Sequence, residues 1–416
     1  MHYLLPISLA GASIFLGGCA INRAPHEALP SKVPIRSAAF RQGMGAVIDP
    51  AFVEGNRVKT LSNGREIFPA MLAAIREARQ TINFETYVFE KGEIPRVFAD
   101  ALAERARAGV KVNLIVDAVG GSKSRAYHRE LSAAGVQLEP FHSIWWADPR
   151  RYNYRTHRKL LIVDGRIGFI GGAGIADQWK GDAASSAEWR DLHFRVEGPV
   201  VAQLQGAFAA NWAHTHRETL QGREYFPPLP SAGTTPARVF ISSPRQSRAA
   251  VELAYQLAIA AAQHSLLIES PYFIPSRPLL DALCAAARRG VRVEILMPGP
   301  HLDHKAVRRA SRKRWPKLFA AGVALYEYQP TMIHTKLMIA DGHFVSLGSA
   351  NFDPRSLAIN DEANLNALDP ALAAELTRVF RRDLLSAKRL EPGKDGAGGI
   401  HEVPLQALEA GAEPQL

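Results

Sequence analysis

Apolar positions along the chain follow two alternating periods. From Val97 to Ala108 and again from Leu279 to Arg288 they recur every three or four residues, as on one face of a helix. Each run stops at a glycine, Gly109 or Gly290, and is followed by a continuous β-branched stretch, VKVNLIV from Val110 or VRVEILM from Val291. Helix followed by buried strand, twice over, predicts an α/β fold in which helices layer on a sheet. PPLPSAGTTP, over Pro227 to Pro236, has no apolar period and reads as a linker, 227–237. From Pro392 the chain runs through GKDGAGG and EAGAEPQL, which predicts a disordered tail, 391–416.

The helix and strand runs are copies of one another. HRKLLIVDGRIGFIGGAG from His157 lines up with HTKLMIADGHFVSLGSAN from His334, with His, Lys, Leu, Ile, Asp, Gly, Gly and Ala at the same offsets. Upstream, LSAAGVQLEPF from Leu131 matches LFAAGVALYEY from Leu318, and RAGVKVNLIVD from Arg107 matches RRGVRVEILMP from Arg288. INFETY from Ile82 is likewise aligned with LIESPY from Leu267. The expected organisation is therefore two domains of one duplicated unit, 40–226 and 238–390.

Composition changes this picture at the ends and at the surface. With 416 residues, 47% apolar and 22% charged, the chain reads as an ordinary folded protein, so collagen, coiled coil and wholesale disorder are excluded. The net charge of +10 points to anionic partners without choosing among them. Two cysteines rule out a disulfide scaffold. Cys284 falls in a helical pattern and reads as a buried small hydrophobe. Residues 1–18 contain an apolar stretch, Tyr3 to Phe15, short of the ~20 residues that span a bilayer, and end at Leu16-Gly17-Gly18-Cys19. That tetrapeptide resembles a bacterial lipobox, which implies cleavage before a lipidated Cys19 and an anchor facing the periplasm; His2 is the sole candidate for positive charge before it.

His157 and Lys159 are two apart in an extended run and so point to one face, as do His334 and Lys336. Asp164 and Asp341 follow their histidines by seven positions, which on a strand turns them away; each opens an Asp-Gly turn and reads as structural. A lysine ammonium has no lone pair for a metal, so His-x-Lys argues against a divalent site and for an anionic phosphodiester, with no cofactor. Two lysines supply cations, and two histidines supply a nucleophile and a proton donor.

These two H-x-K-x4-D motifs resemble those of the phospholipase D superfamily. The surrounding NFETYVF, WRDLHFRVEGPVV, ESPYFIPSRPLL and GSANFDPRSLAINDEANL look like a bacterial cardiolipin synthase. The resemblance implies two α/β sandwich domains related by a pseudo-two-fold and sharing one active site. It implies transfer through a phosphohistidine, with His157, Lys159, Asp164, His334, Lys336 and Asp341 as the catalytic set. By family habit His157 is the nucleophile and His334 the acid and then base, although the sequence does not order them. Ser349 and Asn351 would bind phosphate, with Gly171 and Gly172 offering backbone N–H groups in the first half. Asp191 precedes Pro199, and Glu362 precedes Pro370, by the same eight positions; they are expected to orient the histidines, one each.

Cardiolipin synthesis from phosphatidylglycerol is thus the expected activity. Phospholipase D action with water or small alcohols, phosphodiester cleavage of nucleic acid, and non-catalytic lipid binding are the alternatives. Partners would be anionic phospholipid and a membrane surface, with no nucleic acid and no obligate protein partner. About ten extra residues before the first motif bring Trp145, Trp146, Arg150, Arg151, Tyr152 and Tyr154, which suit either a membrane interface or packing on the domain. Lys305, Arg308, Arg309, Arg312, Lys313, Arg314 and Lys317 form a helical basic face for anionic headgroups or for solvent. Ala20 after Cys19 resembles an outer-membrane sorting signal, whereas cardiolipin synthesis is normally an inner-membrane activity; the two point to different membranes.

Overall fold

The structure, a computed structural model, describes residues 33–122, 125–142, 153–244 and 249–395. The first half contributes seven strands: β1 (Val53–Ser62), β2 (Thr81–Thr86), β3 (Lys111–Asp117), β4 (Gln137–Phe141), β5 (Leu160–Val163), β6 (Ile167–Gly171) and β7 (Leu192–Glu197). The second contributes β8 (Thr235–Ser242), β9 (Ser265–Glu269), β10 (Arg292–Pro298), β11 (Ala324–Tyr328), β12 (Leu337–Ala340), β13 (Phe344–Gly348), β14 (Glu362–Leu368) and β15 (Ala387–Arg389). They join in one sheet of order 15-11-10-9-12-13-14-8-1-7-6-5-2-3-4.

Read outward from the central β8–β1 pair, the two arms have the same order. β7, β6, β5, β2, β3 and β4 answer to β14, β13, β12, β9, β10 and β11, which makes the molecule a duplicated α/β unit with pseudo-two-fold symmetry. Register corrects one detail of the repeat. Glu85 pairs with Leu160 and Glu269 with Leu337, so the two glutamates correspond, whereas the alignment of INFETY with LIESPY sets Glu85 against Ser270.

Helices Asn63–Glu77 and Glu93–Arg107 cover one face of the first arm, and Ala250–Ala261 and Arg277–Arg288 cover the matching face of the second. Between the arms, helices Val201–Thr215 and Pro370–Leu385 share a third core with both arms of the sheet. Cys284 is buried in the second-arm core.

The expected boundaries shift at both ends. Helix Ala38–Val47, capped by Ser37 accepting from the Phe40 N–H, packs on the second arm: Phe40 meets Phe344 edge-on, and Arg238 donates to the carbonyls of Met44 and Ile48. Residues at the start of domain one therefore belong to the core of domain two. β8 begins at Thr235, inside the expected linker, and Asp395 accepts from the Glu391 N–H in an ordered turn at the start of the expected tail. Residues 1–18, Cys19 and the rest of the tail lie outside the described residues.

Candidate active site

Each motif histidine sits just before its strand, β5 or β12, where the chain crosses to the other half. His157 N–H donates to the Asp361 carbonyl and Asp361 N–H to the Arg155 carbonyl; in mirror fashion His334 N–H donates to Arg190 and Arg190 N–H to Met332, all at 2.7–2.9 Å. These bridges carry the residue after Asp361, Glu362, to His157, and the residue after Arg190, Asp191, to His334. Nδ1 of His157 lies 3.1 and 3.0 Å from the Glu362 oxygens, and Nδ1 of His334 lies 2.8 Å from Asp191 Oδ2. The pairing is crossed: each half orients the histidine of the other through Nδ1, so that Nε2 is in both rings the nitrogen not held by a carboxylate.

Both carboxylates are held in turn. Ser349 and Ser356 donate to Glu362, while the indole of Trp179 donates to Asp191 at 2.9 Å. Arg190 fixes the Asp191 segment through a bidentate buried pair with Asp383 and a bond to Asn63. Lys159 and Lys336 donate to the carbonyls of their own histidines at 2.7 and 2.6 Å, and Lys336 Nζ is 3.0 Å from both ring nitrogens of His334. The Tyr87 ring lies 5.3 Å from His157 and beneath Lys159; Trp179 and Trp189 flank His334.

Burial governs the protonation states. It lowers His157 to about 4 despite Glu362, with Lys159 adding to the effect, and lowers His334 to about 4 with Lys336. Burial and mutual repulsion bring Lys159 down to about 7, and burial brings Lys336 to about 8 although Asp191 and Glu362 pull it up. Burial alone would raise the two carboxylates. Glu362 is nevertheless held below its usual range by His157, Lys159 and Ser349, and Asp191 by His334, Lys336 and Trp179. At neutral pH both imidazoles are thus neutral, and with the proton on Nδ1 toward its carboxylate each ring carries its lone pair on Nε2.

His157, Lys159, His334 and Asn351 open onto one cleft of about 470 Å³. Its walls mix apolar groups, among them Val88, Ile274 and Val307, with Arg155, Lys313, Arg314, Arg355, Asp303 and Asp353. Among the described residues Asn351 Oδ1 is buried without a hydrogen-bond partner. Among the described residues no group of three or more His, Cys, Asp or Glu side chains is spaced to hold a metal ion.

Several expected site residues stand elsewhere. Asp164 and Asp341 lie at the far ends of β5 and β12, outside the cleft. Each carboxylate accepts three backbone N–H groups, of Arg79, Gln80 and Thr81 or of Gln263, His264 and Ser265, so their place is in the sheet connections rather than in the catalytic set. Ser349 is fully buried and spends its hydroxyl on Glu362, not on a cleft ligand. Gly172 N–H donates to the Leu192 carbonyl, and Gly171 lies in β6; neither lines the cleft. Their lack of side chains makes room instead, since a Cβ at 172 would fall 2.3 Å from Asp191 Oδ1 and one at 171 would fall 2.6 Å from His193.

Of the basic run, Arg308 is paired bidentately with Glu327, Lys317 with Asp281, and Arg314 donates to the carbonyls of Pro275 and Ala310. Trp145, Trp146, Arg150, Arg151 and Tyr152 lie outside the described residues. Tyr87, Trp179, Ser356 and Asp383 join the site without a role read from the sequence; Tyr87 falls within NFETYVF and Ser356 within GSANFDPRSLAINDEANL, but nothing local marks Trp179 or Asp383.

Comparison with protein families matches residues 71–210 and 256–384 to the cardiolipin synthase, phospholipase D-like domain. A probable cardiolipin synthase of Bacillus subtilis is 34% identical over 81% of this chain and 68% of its own, and a cardiolipin synthase of Geobacillus kaustophilus is 34% identical over 89% and 73%. Among solved structures, the phosphatidylserine synthase of Haemophilus influenzae superposes with a TM-score of 0.60 at 14% identity, covering 84% of this chain and 92% of that one, which is a likeness of fold.

Proposed function

The chain belongs to the phospholipase D-like family of cardiolipin synthases, and from that premise we propose that it condenses two molecules of phosphatidylglycerol into cardiolipin and glycerol through a phosphohistidine. The observation that carries the mechanism is the crossed pair of carboxylate–histidine contacts, whose histidines open with Lys159 onto one cleft while Lys336 lies against His334.

The donor phosphate sits between Lys159 and Lys336, whose charges face its non-bridging oxygens. His157 Nε2 attacks phosphorus while Nδ1–H stays on Glu362, which stabilises the positive charge that grows on the ring. The bond to the glycerol oxygen breaks, and His334 Nε2 delivers the proton that glycerol takes away. A proton for His334 accompanies the substrate. The negative charge of the bound phosphodiester favours the protonated forms of the lysines and imidazoles beside it, so proton uptake that completes both ammonium groups and charges His334 is coupled to binding. In the second half-reaction neutral His334 takes the proton of an incoming hydroxyl, the new P–O bond forms, the P–N bond breaks, and His157 is regenerated.

The protein is anchored to a membrane of the bacterial envelope through lipid on Cys19 and faces the periplasm; among the described residues no helix is long and apolar enough to cross a membrane. Its substrates are anionic phospholipids, and Asn351 contributes a polar group to phosphate binding. The test is incubation of the purified protein with headgroup-labelled phosphatidylglycerol. Cardiolipin with released glycerol is expected, abolished by His157→Ala; phosphatidic acid alone would assign the chain to hydrolysis.

A further inference from the structure

The reaction core is symmetric but the reaction is not. Crossed carboxylates, paired lysines and mirrored backbone bridges treat the two faces of a phosphate nearly alike, whereas one substrate must be cut and the other must attack. Both substrates, on the proposed function, carry a phosphodiester. The acceptor's phosphate is joined to its attacking hydroxyl by a three-carbon bridge, so it must rest within the same cleft when the hydroxyl reaches the reacting phosphorus. A cation outside the symmetric core is needed to hold it.

The asymmetry of the walls supplies one. After β3 the first arm reaches β4 through a single helix, Arg125–Ala133, among the described residues; after β10 the second arm inserts helix Lys305–Arg312 before Trp315–Ala320. This added helix turns Ala306, Val307 and Ala310 to the cleft, and the same face ends in Lys313 and Arg314. The other cleft cations are engaged: Arg155 with Asp117, Arg314 with two carbonyls, Arg355 with Asn153 and Asn360, and Lys159 with the His157 carbonyl. Among the described residues, Lys313 is the cleft cation with no hydrogen bond or ion pair, and it is half-buried.

We infer that Lys313, presented by the added helix, binds the phosphate of the acceptor phospholipid and so favours lipid over water or small alcohols as the group that resolves the phosphohistidine. The inference rests on the proposed transfer reaction and is tested on the partition of that common intermediate, which is blind to defects in donor binding or in the first step. Labelled phosphatidylglycerol is supplied with a fixed ethanol concentration, and the ratio of cardiolipin to phosphatidylethanol is measured.

Lys313→Gln is expected to lower that ratio about tenfold, the worth of roughly 1.4 kcal/mol of lost acceptor binding. Lys313→Glu lowers it further, and Lys313→Arg restores it to within about twofold. A ratio unmoved by Lys313→Gln and Lys313→Glu overturns the assignment. So does loss of both products in these variants with melting temperature intact, because forming the phosphohistidine does not draw on Lys313. If the wild-type protein yields phosphatidylethanol and no cardiolipin, the proposed synthase function fails, independently of Lys313.

Discussion

Gly172 and Ser349 occupy equivalent positions, and the difference between them follows the carboxylate each accompanies. Ser349 donates to Glu362; at 172 even a methyl group would collide with Asp191, which takes its hydrogen bond from Trp179 instead. Gly172→Ala should therefore displace Asp191 and loosen His334, cutting kcat about tenfold or more with little change in KM; steady-state kinetics beside a melting curve would check that the fold survives. Glu362→Gln keeps shape but not charge and should cost at least as much, and turnover within about twofold of wild type would remove Glu362 from its orienting role. The imidazoles give a third measurement. Burial favours their neutral form, so histidine NMR titration of the ligand-free protein should place both midpoints near 4, below the free value, and bound inorganic phosphate should move them upward. Midpoints near 6.5 in the empty protein would refute the burial argument. The His-x-Lys pairs and the two carboxylates were legible because their spacing repeats within the sequence. Ser349, expected at the phosphate, stands on Glu362 instead, because a buried hydroxyl and a ligand-facing one share the same local pattern.

At the level of strands and helices, the Asp-Gly turns after β5 and β12 show why a motif residue can be remote from chemistry. Three N–H groups converge on each carboxylate at 2.7–3.2 Å, so Asp341→Ala removes three part-buried, charge-assisted hydrogen bonds and should cost about 1–3 kcal/mol of stability, read as a lower melting temperature. Turnover per folded molecule should change much less than for Glu362→Gln; the reverse order would return Asp341 to the catalytic set. Helix Ala38–Val47 is the counterpart at the domain edge. Phe40→Ala removes its anchor from the second-arm core and should cost about 3–5 kcal/mol by denaturant unfolding. Alternation of helix and strand was readable from hydrophobic period and glycine stops. The docking of this helix on the other domain was not, because its partners Phe344 and Arg238 are about two hundred and more positions away. The basic run reads as one cationic face for the same reason: Glu327 and Asp281, which neutralise Arg308 and Lys317, arrive from separate elements.

Across the whole molecule, the two halves are tied by the β1–β8 pairing, by the bridges at Thr156–Asp361 and Arg190–Ile333, and by Arg158, whose guanidinium reaches the carbonyls of Ala207, Glu362 and Ser242. Each arm also draws its histidine's carboxylate from the other. A protease site placed at Pro228–Ser231 should thus yield two fragments that co-elute and remain active, whereas separation without denaturant would mean the shared core holds them less firmly than its contacts indicate. The duplication was evident from sequence, but its crossing was not, since repeat spacing says which residues are alike and not which are neighbours. That crossing bears on descent. A single ancestral unit, holding a histidine and a carboxylate that cannot reach each other within one copy, could have assembled this chemistry only as a symmetric pair of identical chains. Joined in one chain, the two copies need not be identical, and helix Lys305–Arg312 stands in one arm with no counterpart among the described residues of the other.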